Sequence, residues 1–133
     1  MDVLGHGIDL VDTQRIERMI AAHGDRFLER CFTAAERAYF ARVSDRRRVE
    51  HVAGRFAAKE AVLKALGTGL AGGITWLDVE IERAATGAPG VHLAGRAAAV
   101  ADTLGVCRWT LSISHVAGMA MASAIALGVQ REA

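Results

Sequence analysis

The sequence predicts an α+β fold, a single domain in which long helices pack on an antiparallel sheet. Its 133 residues suit one compact domain with its own hydrophobic core. Alternation of apolar and polar residues predicts strands near both ends of the chain, and helical periodicity dominates the stretch between them. The only proline, Pro89, lies in a turn over residues 86–90 and predicts a hairpin. No repeat or linker interrupts the chain, so residues 1–133 are expected to form one domain.

The first predicted strand covers residues 3–11, and one of its faces carries small or acidic residues: Gly5, Gly7 and Asp9. Glycines beside an acid leave room for another group to approach the backbone closely. Asp12 or Thr13 can cap the helix that follows.

Further helical segments precede the second strand. A short piece surrounds Phe27, and Thr33-Ala34-Ala35-Glu36 is a capping-box pattern that opens the next helix. A long helix then starts near Arg46 and ends at Gly67, because glycine suits a helix C-cap.

The second half supplies the remaining strands. Residues 76–83 alternate like a half-buried strand and pair with residues 91–93 across the proline turn. A helix over residues 95–105 leads to two strands over residues 109–114 and 119–127. Strands at both ends with helices between them favour the α+β class.

Charge and composition exclude several classes of protein. The formal net charge of +1 gives no indication of general nucleic-acid binding. We expect no signal peptide, because acids interrupt the N-terminus, and no membrane span, because the apolar run near the C-terminus alternates like a strand. Cys31 and Cys107 lie far apart without metal-ligand spacing, so two buried thiols in a reducing cytoplasm are favoured over a disulfide. A cytoplasmic protein is therefore expected.

The long helix places an acid where an apolar residue belongs. At about 100° per residue, Glu60 lies about 40° from Phe56, inside the stripe formed by Val49, Val52 and Leu63. A buried carboxylate requires a partner, either a metal ion or a cation. An i,i+4 pair with Lys64 explains the spacing, but it does not explain an acid in an apolar stripe.

Asp9 and Glu60 together would offer hard oxygen ligands to Mg²⁺. A turn or helix-entry role is the alternative for Asp9. Lys64 and the turn Gly67-Thr68-Gly69 suggest a phosphate site made of a point charge and backbone donors, although a simple helix-terminating turn is the commoner explanation. His115 follows Ser112-Ile113-Ser114 and could donate to a phosphate or cap its turn.

Two further patterns bear on function. Arginines cluster early in the chain and would form either a solvated face or a dock for an acidic helix beside Met19 and Phe27: Arg15, Arg18, Arg26 and Arg30. No nucleophilic triad, P-loop or GxGxxG motif is present. Carboxylates, a lysine and a metal point to phosphate chemistry without a covalent enzyme intermediate.

These motifs resemble the holo-acyl-carrier-protein synthases, the small stand-alone family of 4′-phosphopantetheinyl transferases. Two signatures carry the resemblance, Gly7-Ile8-Asp9 and the run Arg55-Phe56-Ala57-Ala58-Lys59-Glu60-Ala61-Val62-Leu63-Lys64. Supporting fragments occur in family order over nearly the whole chain: Arg26-Phe27, Phe32-Thr33-Ala34-Ala35-Glu36, Gly67-Thr68-Gly69, Trp76-Leu77-Asp78-Val79-Glu80-Ile81 and Ser112-Ile113-Ser114-His115.

The resemblance implies a reaction. Coenzyme A would donate its phosphopantetheine arm to a serine of apo-acyl carrier protein in fatty acid biosynthesis, releasing adenosine 3′,5′-bisphosphate. It implies that Asp9, Glu60 and Lys64 are catalytic, that Asp9 and Glu60 bind Mg²⁺ (or Mn²⁺), and that Glu60 deprotonates the serine directly or through water. The implied coenzyme A site comprises Arg46, Arg47, Arg55, Lys64, Gly67, Thr68, Gly69 and His115.

The resemblance also implies partners. Carrier-protein docking would involve Arg15, Met19, Arg26, Phe27 and Arg30, and small family members form homotrimers with active sites at subunit junctions. Val116 departs from relatives that have a polar or acidic residue there, yet Asp9, Glu60 and Lys64 are all present, so we expect activity. The alternatives are a non-catalytic module that binds coenzyme A or a carrier protein, and a different Mg²⁺-dependent nucleotide hydrolase.

Overall fold

Two antiparallel sheets and five α-helices make up the computed structural model, which describes residues 1–131 apart from the side chain of Arg46. In chain order the elements are β1 (Asp2–Asp12), α1 (Thr13–His23), α2 (Asp25–Cys31), α3 (Ala34–Arg42), α4 (Asp45–Leu66), a 3₁₀ helix (Trp76–Asp78), β2 (Val79–Arg83), β3 (Pro89–Leu93), α5 (Gly95–Leu104), β4 (Val106–Val116) and β5 (Met119–Gly128). The α+β prediction is confirmed.

The larger sheet has the order β1-β5-β4 and the smaller one pairs β2 with β3. Alternate alanines of β5 face the protein interior, and Ala120, Ala122 and Ala124 are almost fully buried. Helix α4 packs on this face and contacts all three strands. Small side chains on the sheet let the helix lie close to it, so α4 is the central element of the core.

Two glycines decide how closely α4 approaches β1. A Cβ atom built on Gly5 would overlap the backbone carbonyl of Ala65, and one on Gly7 would overlap that of Ala61. No side-chain rotation could relieve either overlap, because both partners are backbone atoms. The expected close approach at these glycines is therefore confirmed, and it brings the second half of α4 against the strand that carries Asp9.

Helix α4 is buried on all sides rather than along one stripe. From residue 52 to residue 63, Glu60 is the one position that is not buried. The sheet covers one side of the helix, while α1, α3 and β2 cover others. The sequence correctly predicted an acid at position 60 within a buried stretch. It explained the position by a single apolar stripe, whereas the helix is covered on several sides here. Glu60 lies at an opening in the layer around a central helix.

Among the described residues, the fully buried charges are Lys59 and Glu36, a pair that the sequence analysis missed. The Lys59 Nζ lies 2.7 Å from the Glu36 Oε1, and both side chains are almost completely inaccessible. Lys59 also donates to the carbonyl oxygens of Trp76 at 3.1 Å and Val79 at 2.5 Å. Glu36 accepts from the amides of Thr33 and Ile81, so the predicted capping box is confirmed. This network ties α4 to α3 and β2.

Two local predictions differ from the structure, one at residues 76–78 and one at Cys107. Residues 76–78 form a 3₁₀ turn rather than strand, because the Asp78 amide donates to the Thr75 carbonyl at 3.1 Å and its carboxylate accepts from the Thr75 hydroxyl at 3.2 Å. The predicted short helical piece around Phe27 is confirmed as α2, and the Phe27 ring is buried. Cys31 is buried as expected, whereas Cys107 is exposed on β4. Over residues 1–131, none of the helices is long and apolar enough to cross a membrane.

Candidate active site

Polar residues gather at two places along α4, one near each end of its buried stretch. The first place, called here the acidic cluster, comprises Asp9, Glu60 and Lys64. The second, called the cationic cleft, surrounds Gly54 and Arg55. At about 1.5 Å of rise per residue, ten helical residues separate Gly54 from Lys64 by about 15 Å.

The acidic cluster forms where α4 crosses the glycine-containing end of β1. The Lys64 Nζ lies 3.0 Å from the Asp9 Oδ1 and donates to the Ile8 carbonyl oxygen, also at 3.0 Å. The Asp9 side chain is mostly covered, whereas that of Lys64 is half exposed. The structure therefore joins two residues that are 55 positions apart in the sequence.

Glu60 completes the cluster electrostatically. Burial raises the pKa of its carboxyl group, the neighbouring Asp9 carboxylate raises it further, and Lys64 and Arg15 partly oppose both effects. A carboxylate that is disfavoured by burial and by a second carboxylate attracts additional positive charge. The sequence predicted that Glu60 needs a cationic partner. Lys64 and Arg15 meet this need only in part, which leaves room for a further cation.

The donor set of the acidic cluster fits Mg²⁺. Among the described residues, no three His, Cys, Asp or Glu side chains converge on a common point. Mg²⁺ does not need such a cage, because it commonly binds one or two carboxylates and fills its remaining positions with water and phosphate oxygens. Asp9 and Glu60 supply two hard oxygen donors beside an opening to solvent, which matches this kind of site.

The turn after α4 corrects part of the phosphate-site hypothesis. The amides of Gly67, Thr68 and Gly69 all donate to the Leu63 carbonyl, and that of Gly67 also donates to Lys64. Gly67 is left-handed, with φ 78°, as a C-cap glycine requires. These backbone donors are occupied in closing the helix, so a phosphate here would rely on Lys64 and on side-chain or rearranged donors.

The cationic cleft lies between α3, α4, the β2–β3 hairpin and the end of β4, and has a volume of about 180 Å³. Four of its lining residues are basic: His51, Arg55, Arg83 and His115. The Arg55 guanidinium lies 4.0 Å from the centroid of the Tyr39 ring. Arg55 is 8% exposed, and its Nε has no hydrogen-bond partner among the described residues. A buried, partly unpartnered guanidinium in a basic cleft is suited to binding an anion.

His115 is held against α4 at this cleft. Its Nε2 donates to the Glu50 carbonyl oxygen at 2.8 Å, and a Cβ atom at Gly54 would collide with the His115 ring. The glycine thus allows β4 to bring His115 beside Arg55. Val116, the next residue, is 72% exposed.

Sequence reasoning missed three residues of the cleft: Tyr39, His51 and Arg83. A signal for His51 was present, because Arg47, His51 and Arg55 follow one another at i,i+4 spacing on one face of α4. Tyr39 and Arg83 come from α3 and β2, and no local pattern connects them with α4. Arg47 is exposed, and the predicted Arg46 has a side chain that lies outside the described part of the structure.

The predicted docking residues lie on and beside α1 and α2. Arg15, Arg26 and Arg30 are exposed and Met19 is half-buried. Phe27 requires a correction: it is 4% exposed, with its ring 6.1 Å from that of Phe32, so it supports this surface from beneath instead of forming it. Arg15 connects the basic surface to the acidic cluster, because its guanidinium lies 5.8 Å from the Phe56 ring centroid and its charge acts on Glu60.

Comparison with known proteins identifies relatives over nearly the whole chain. The sequence model of the 4′-phosphopantetheinyl transferase superfamily matches residues 5–122. The holo-[acyl-carrier-protein] synthase of Koribacter versatilis (strain Ellin345) is 49% identical over 123 residues, which cover 92% of this chain and 97% of the relative. The resemblance inferred from the motifs is therefore confirmed.

Solved structures agree with these matches. The crystal structure of holo-[acyl-carrier-protein] synthase from Neisseria meningitidis has a TM-score of 0.85 and 32% identity, covering 95% of this chain and 99% of the other. The Helicobacter pylori holo-[acyl-carrier-protein] synthase, solved in complex with coenzyme A, has a TM-score of 0.79 and 31% identity, covering 92% of this chain and 99% of that one.

Proposed function

Because the chain belongs to the 4′-phosphopantetheinyl transferase superfamily, it is a transferase, and we propose that it acts as a holo-acyl-carrier-protein synthase. Its reaction would move 4′-phosphopantetheine from coenzyme A to a serine of apo-acyl carrier protein and release adenosine 3′,5′-bisphosphate. The observation that carries this proposal is the convergence of Asp9, Glu60 and Lys64 from β1 and α4.

The acidic cluster provides the groups for phosphoryl transfer. Asp9 and Glu60 would hold Mg²⁺, or Mn²⁺, which when bound supplies charge stabilisation for the pyrophosphate and the leaving phosphate. Lys64 carries a half-exposed ammonium group that can neutralise the same pyrophosphate. Gly67, Thr68 and Gly69 would border this end of the substrate. The described side chains thus furnish two anionic and one cationic group within one site.

Glu60 is the proposed proton acceptor for the attacking serine hydroxyl, directly or through one water. Its raised pKa makes it a stronger base than an exposed carboxylate. It also lies at the single break in the burial of residues 52–63, so an acceptor serine can reach it from solvent.

The cationic cleft is proposed to bind the nucleotide end of coenzyme A. Coenzyme A bears a pyrophosphate and a separate 3′-phosphate, and α4 carries two separate regions that could hold them: the acidic cluster, through its metal ion and Lys64, and the cationic cleft. Arg55 and His115 line the cleft, and Arg47 with the predicted Arg46 lies near the start of the same helix.

The apo-acyl carrier protein is proposed to dock on the basic surface around α1 and α2. Arg15, Arg26 and Arg30 project to solvent beside half-buried Met19, a pattern that complements an acidic helix. Arg15 adjoins the acidic cluster, so docking there would bring a carrier serine towards Glu60. A cytoplasmic role in fatty acid biosynthesis follows from this choice of partner.

We further propose a homotrimer with active sites at subunit junctions. The sheet face opposite α4 exposes a group of apolar residues on β1 and β5: Ile8, Leu10, Met119 and Met121. Leu10 pairs with Met121 across the two strands, so these residues form one continuous patch. A contiguous exposed apolar patch is typical of a protein–protein interface.

Intact-mass spectrometry tests the proposed reaction. Apo-acyl carrier protein incubated with coenzyme A, Mg²⁺ and this protein should gain the mass of one phosphopantetheine arm. Glu60→Gln should nearly abolish this gain, whereas Asp102→Asn, which changes an exposed carboxylate on α5, should leave it unchanged. Coenzyme A binding without any mass gain across several carrier proteins would favour the non-catalytic module, and phosphate release without an acceptor would favour the hydrolase.

A further inference from the structure

His51 occupies a distinctive position in the cationic cleft. It lies on α4 between Arg47 and Arg55, and its ring centroid is 6.3 Å from that of His115. The ring is partly covered rather than free in solvent. Neither the acidic cluster nor the proposed transfer step uses this residue, although it is a titratable group within a site suited to anions.

Tyr39 connects His51 with Arg83. The Arg83 Nη1 lies 2.6 Å from the Tyr39 hydroxyl oxygen, and arginine can only donate. The Tyr39 oxygen therefore accepts from Arg83, and its hydroxyl can donate to the His51 Nδ1 at 3.3 Å. In that arrangement neutral His51 carries its own proton on Nε2, where it can donate to a ligand.

The groups that face His51 are mainly cationic. Burial is the largest of the causes that lower the pKa of His51. The neighbouring positive charges lower it further, and they belong to Arg47, Arg55, His115 and Arg83. These residues come from α4, β4 and β2. Tyr39 is the contact from α3, and Glu82 is the carboxylate among the described lining residues. A positive charge on His51 is therefore disfavoured until a bound anion compensates for the charges of its neighbours.

We infer that His51 is a phosphate-binding residue of the cationic cleft, and that its imidazole takes up a proton when a dianionic phosphate ester enters. The ester would be the 3′-phosphate of coenzyme A, and in this respect the inference rests on the proposed function. The cleft would thereby distinguish ligands that carry a terminal phosphate monoester from ligands that lack it.

Linkage gives the sign of the effect. A bound dianion compensates for the positive charge around His51, so it raises the pKa of His51 towards its usual range or above. Binding and protonation are reciprocal, because each must favour the other by the same factor. Affinity for the ester through His51 therefore strengthens as pH falls through the range between the free and bound pKa values, and it weakens as pH rises. The unpartnered Nε of buried Arg55 supplies a further donor for the ester.

Calorimetry with adenosine 3′,5′-bisphosphate tests this inference. Titrations in buffers of different ionisation enthalpy report the protons taken up per ligand bound. The wild-type protein should take up more protons than His51→Gln, by up to about one per site. The phosphate itself titrates near pH 6 in both proteins, so the difference between them isolates the ring. His51→Phe, which also removes the neutral donor, should bind about tenfold more weakly.

Two comparisons make the result specific. His92→Gln changes an exposed histidine on β3, outside the cationic cleft, and should bind and take up protons like the wild type. Dephospho-coenzyme A, which lacks the 3′-phosphate, should bind the wild type and His51→Gln equally. NMR titration of the wild-type His51 ring provides a measurement without substitution, and its pKa should rise when the bisphosphate is bound.

The outcomes separate this inference from the proposed function. Binding with equal proton uptake by the wild type and His51→Gln, or an unchanged ring pKa, would overturn the role of His51 and leave the transferase proposal standing. Failure of both coenzyme A and the bisphosphate to bind would overturn the cleft as a coenzyme A site and this inference with it. Normal modification of the carrier protein, without any coupling between bisphosphate binding and protonation of His51, would overturn only this inference.

Discussion

At the scale of single residues, Glu60 combines an unfavourable environment with a proposed chemical role. Its neighbours from residue 52 to residue 63 are buried, and the pKa of its carboxyl group is raised by burial and by Asp9. Such a carboxylate destabilises the folded chain whenever it is ionised without a bound cation. Conflict between local stability and function is common at active sites.

The first prediction follows from this conflict. The folded protein binds a proton at Glu60 more tightly than the unfolded chain does, so stability falls as pH rises from the unfolded pKa through the folded pKa. At neutral pH, Glu60→Gln should remove this penalty and stabilise the metal-free protein by about 0.5–2 kcal/mol. Thermal unfolding in EDTA at several pH values measures it. Equal or lower stability of Glu60→Gln at neutral pH would contradict the prediction.

At the scale of secondary-structure elements, the contact between α4 and β1 positions the acidic cluster. Gly5 and Gly7 admit the backbone of α4 to a distance that alanine would prevent. Asp9 is two residues beyond Gly7 on the same face of β1, so the separation of the two elements sets the distance from Asp9 to Lys64.

Gly7→Ala should therefore disturb both stability and transfer. Overpacking against a backbone carbonyl costs about 1–3 kcal/mol, and separation of α4 from β1 should lower kcat. Gly90→Ala is the matched control on β3, because a Cβ atom there meets nothing within 4 Å and should change stability by less than about 0.5 kcal/mol. Urea unfolding gives the stability of both variants, and kinetic assays give their kcat. Equal effects of the two substitutions would refute the claim that Gly7 is needed for close packing of α4 on β1.

The Lys59–Glu36 pair connects a second set of elements. Three acceptors surround the Lys59 ammonium group, from α3, the 3₁₀ turn and the start of β2. Burial lowers the pKa of Lys59, and the carboxylate of Glu36 opposes this effect. Removal of one member leaves the other charge buried without its partner.

Lys59→Met should destabilise the protein by about 3–5 kcal/mol, the usual result of breaking a buried ion pair. Arg96→Met removes an exposed cation from α5 and should have an effect below about 0.5 kcal/mol. Chemical denaturation of both variants gives the comparison. A loss below 1 kcal/mol for Lys59→Met would mean that the network contributes little to the stability of α4.

At the scale of the whole molecule, the two surfaces proposed as interfaces face in different directions. The apolar patch of β1 and β5 lies on the side of the sheet opposite α4, whereas the basic surface lies on α1 and α2. One molecule can therefore contact copies of itself through the sheet and a carrier protein through the helices.

The trimer proposal predicts a change of mass on substitution in the patch. Leu10→Asp places a charge on the exposed sheet face and should convert a three-subunit species into monomers. Leu104→Asp changes another exposed leucine, on α5, and should leave the assembly intact; Leu10 is 59% exposed and Leu104 41%. Sedimentation velocity distinguishes the species. A monomeric wild-type protein at working concentrations would overturn the trimer.

The docking proposal predicts an effect confined to one substrate. Arg26→Glu should raise the KM for carrier protein by about tenfold or more, with the KM for coenzyme A unchanged, because it reverses charge on the basic surface alone. Raised salt should weaken wild-type docking in the same way. Arg96→Glu provides an exposed charge reversal elsewhere. Unchanged carrier-protein kinetics for Arg26→Glu would remove α2 from the docking surface.

The sequence by itself determined most of the elements and the unusual position of Glu60 and Lys64 on the long helix, because these signals are local, whereas the contact of Asp9 with Lys64 joins residues 55 positions apart and is seen only in the structure. Glycines in β1, the capping box at Thr33, the C-cap at Gly67 and the spacing of Glu60 and Lys64 can all be seen within a few residues. Only the tertiary structure decided the pairing of Lys59 with Glu36, the burial of Phe27 and the joining of Tyr39, His51 and Arg83 in one cleft. Those contacts join elements that are far apart in the chain. How closely such elements pack depends on the space between their backbones, and the periodicity of apolar residues does not predict that space.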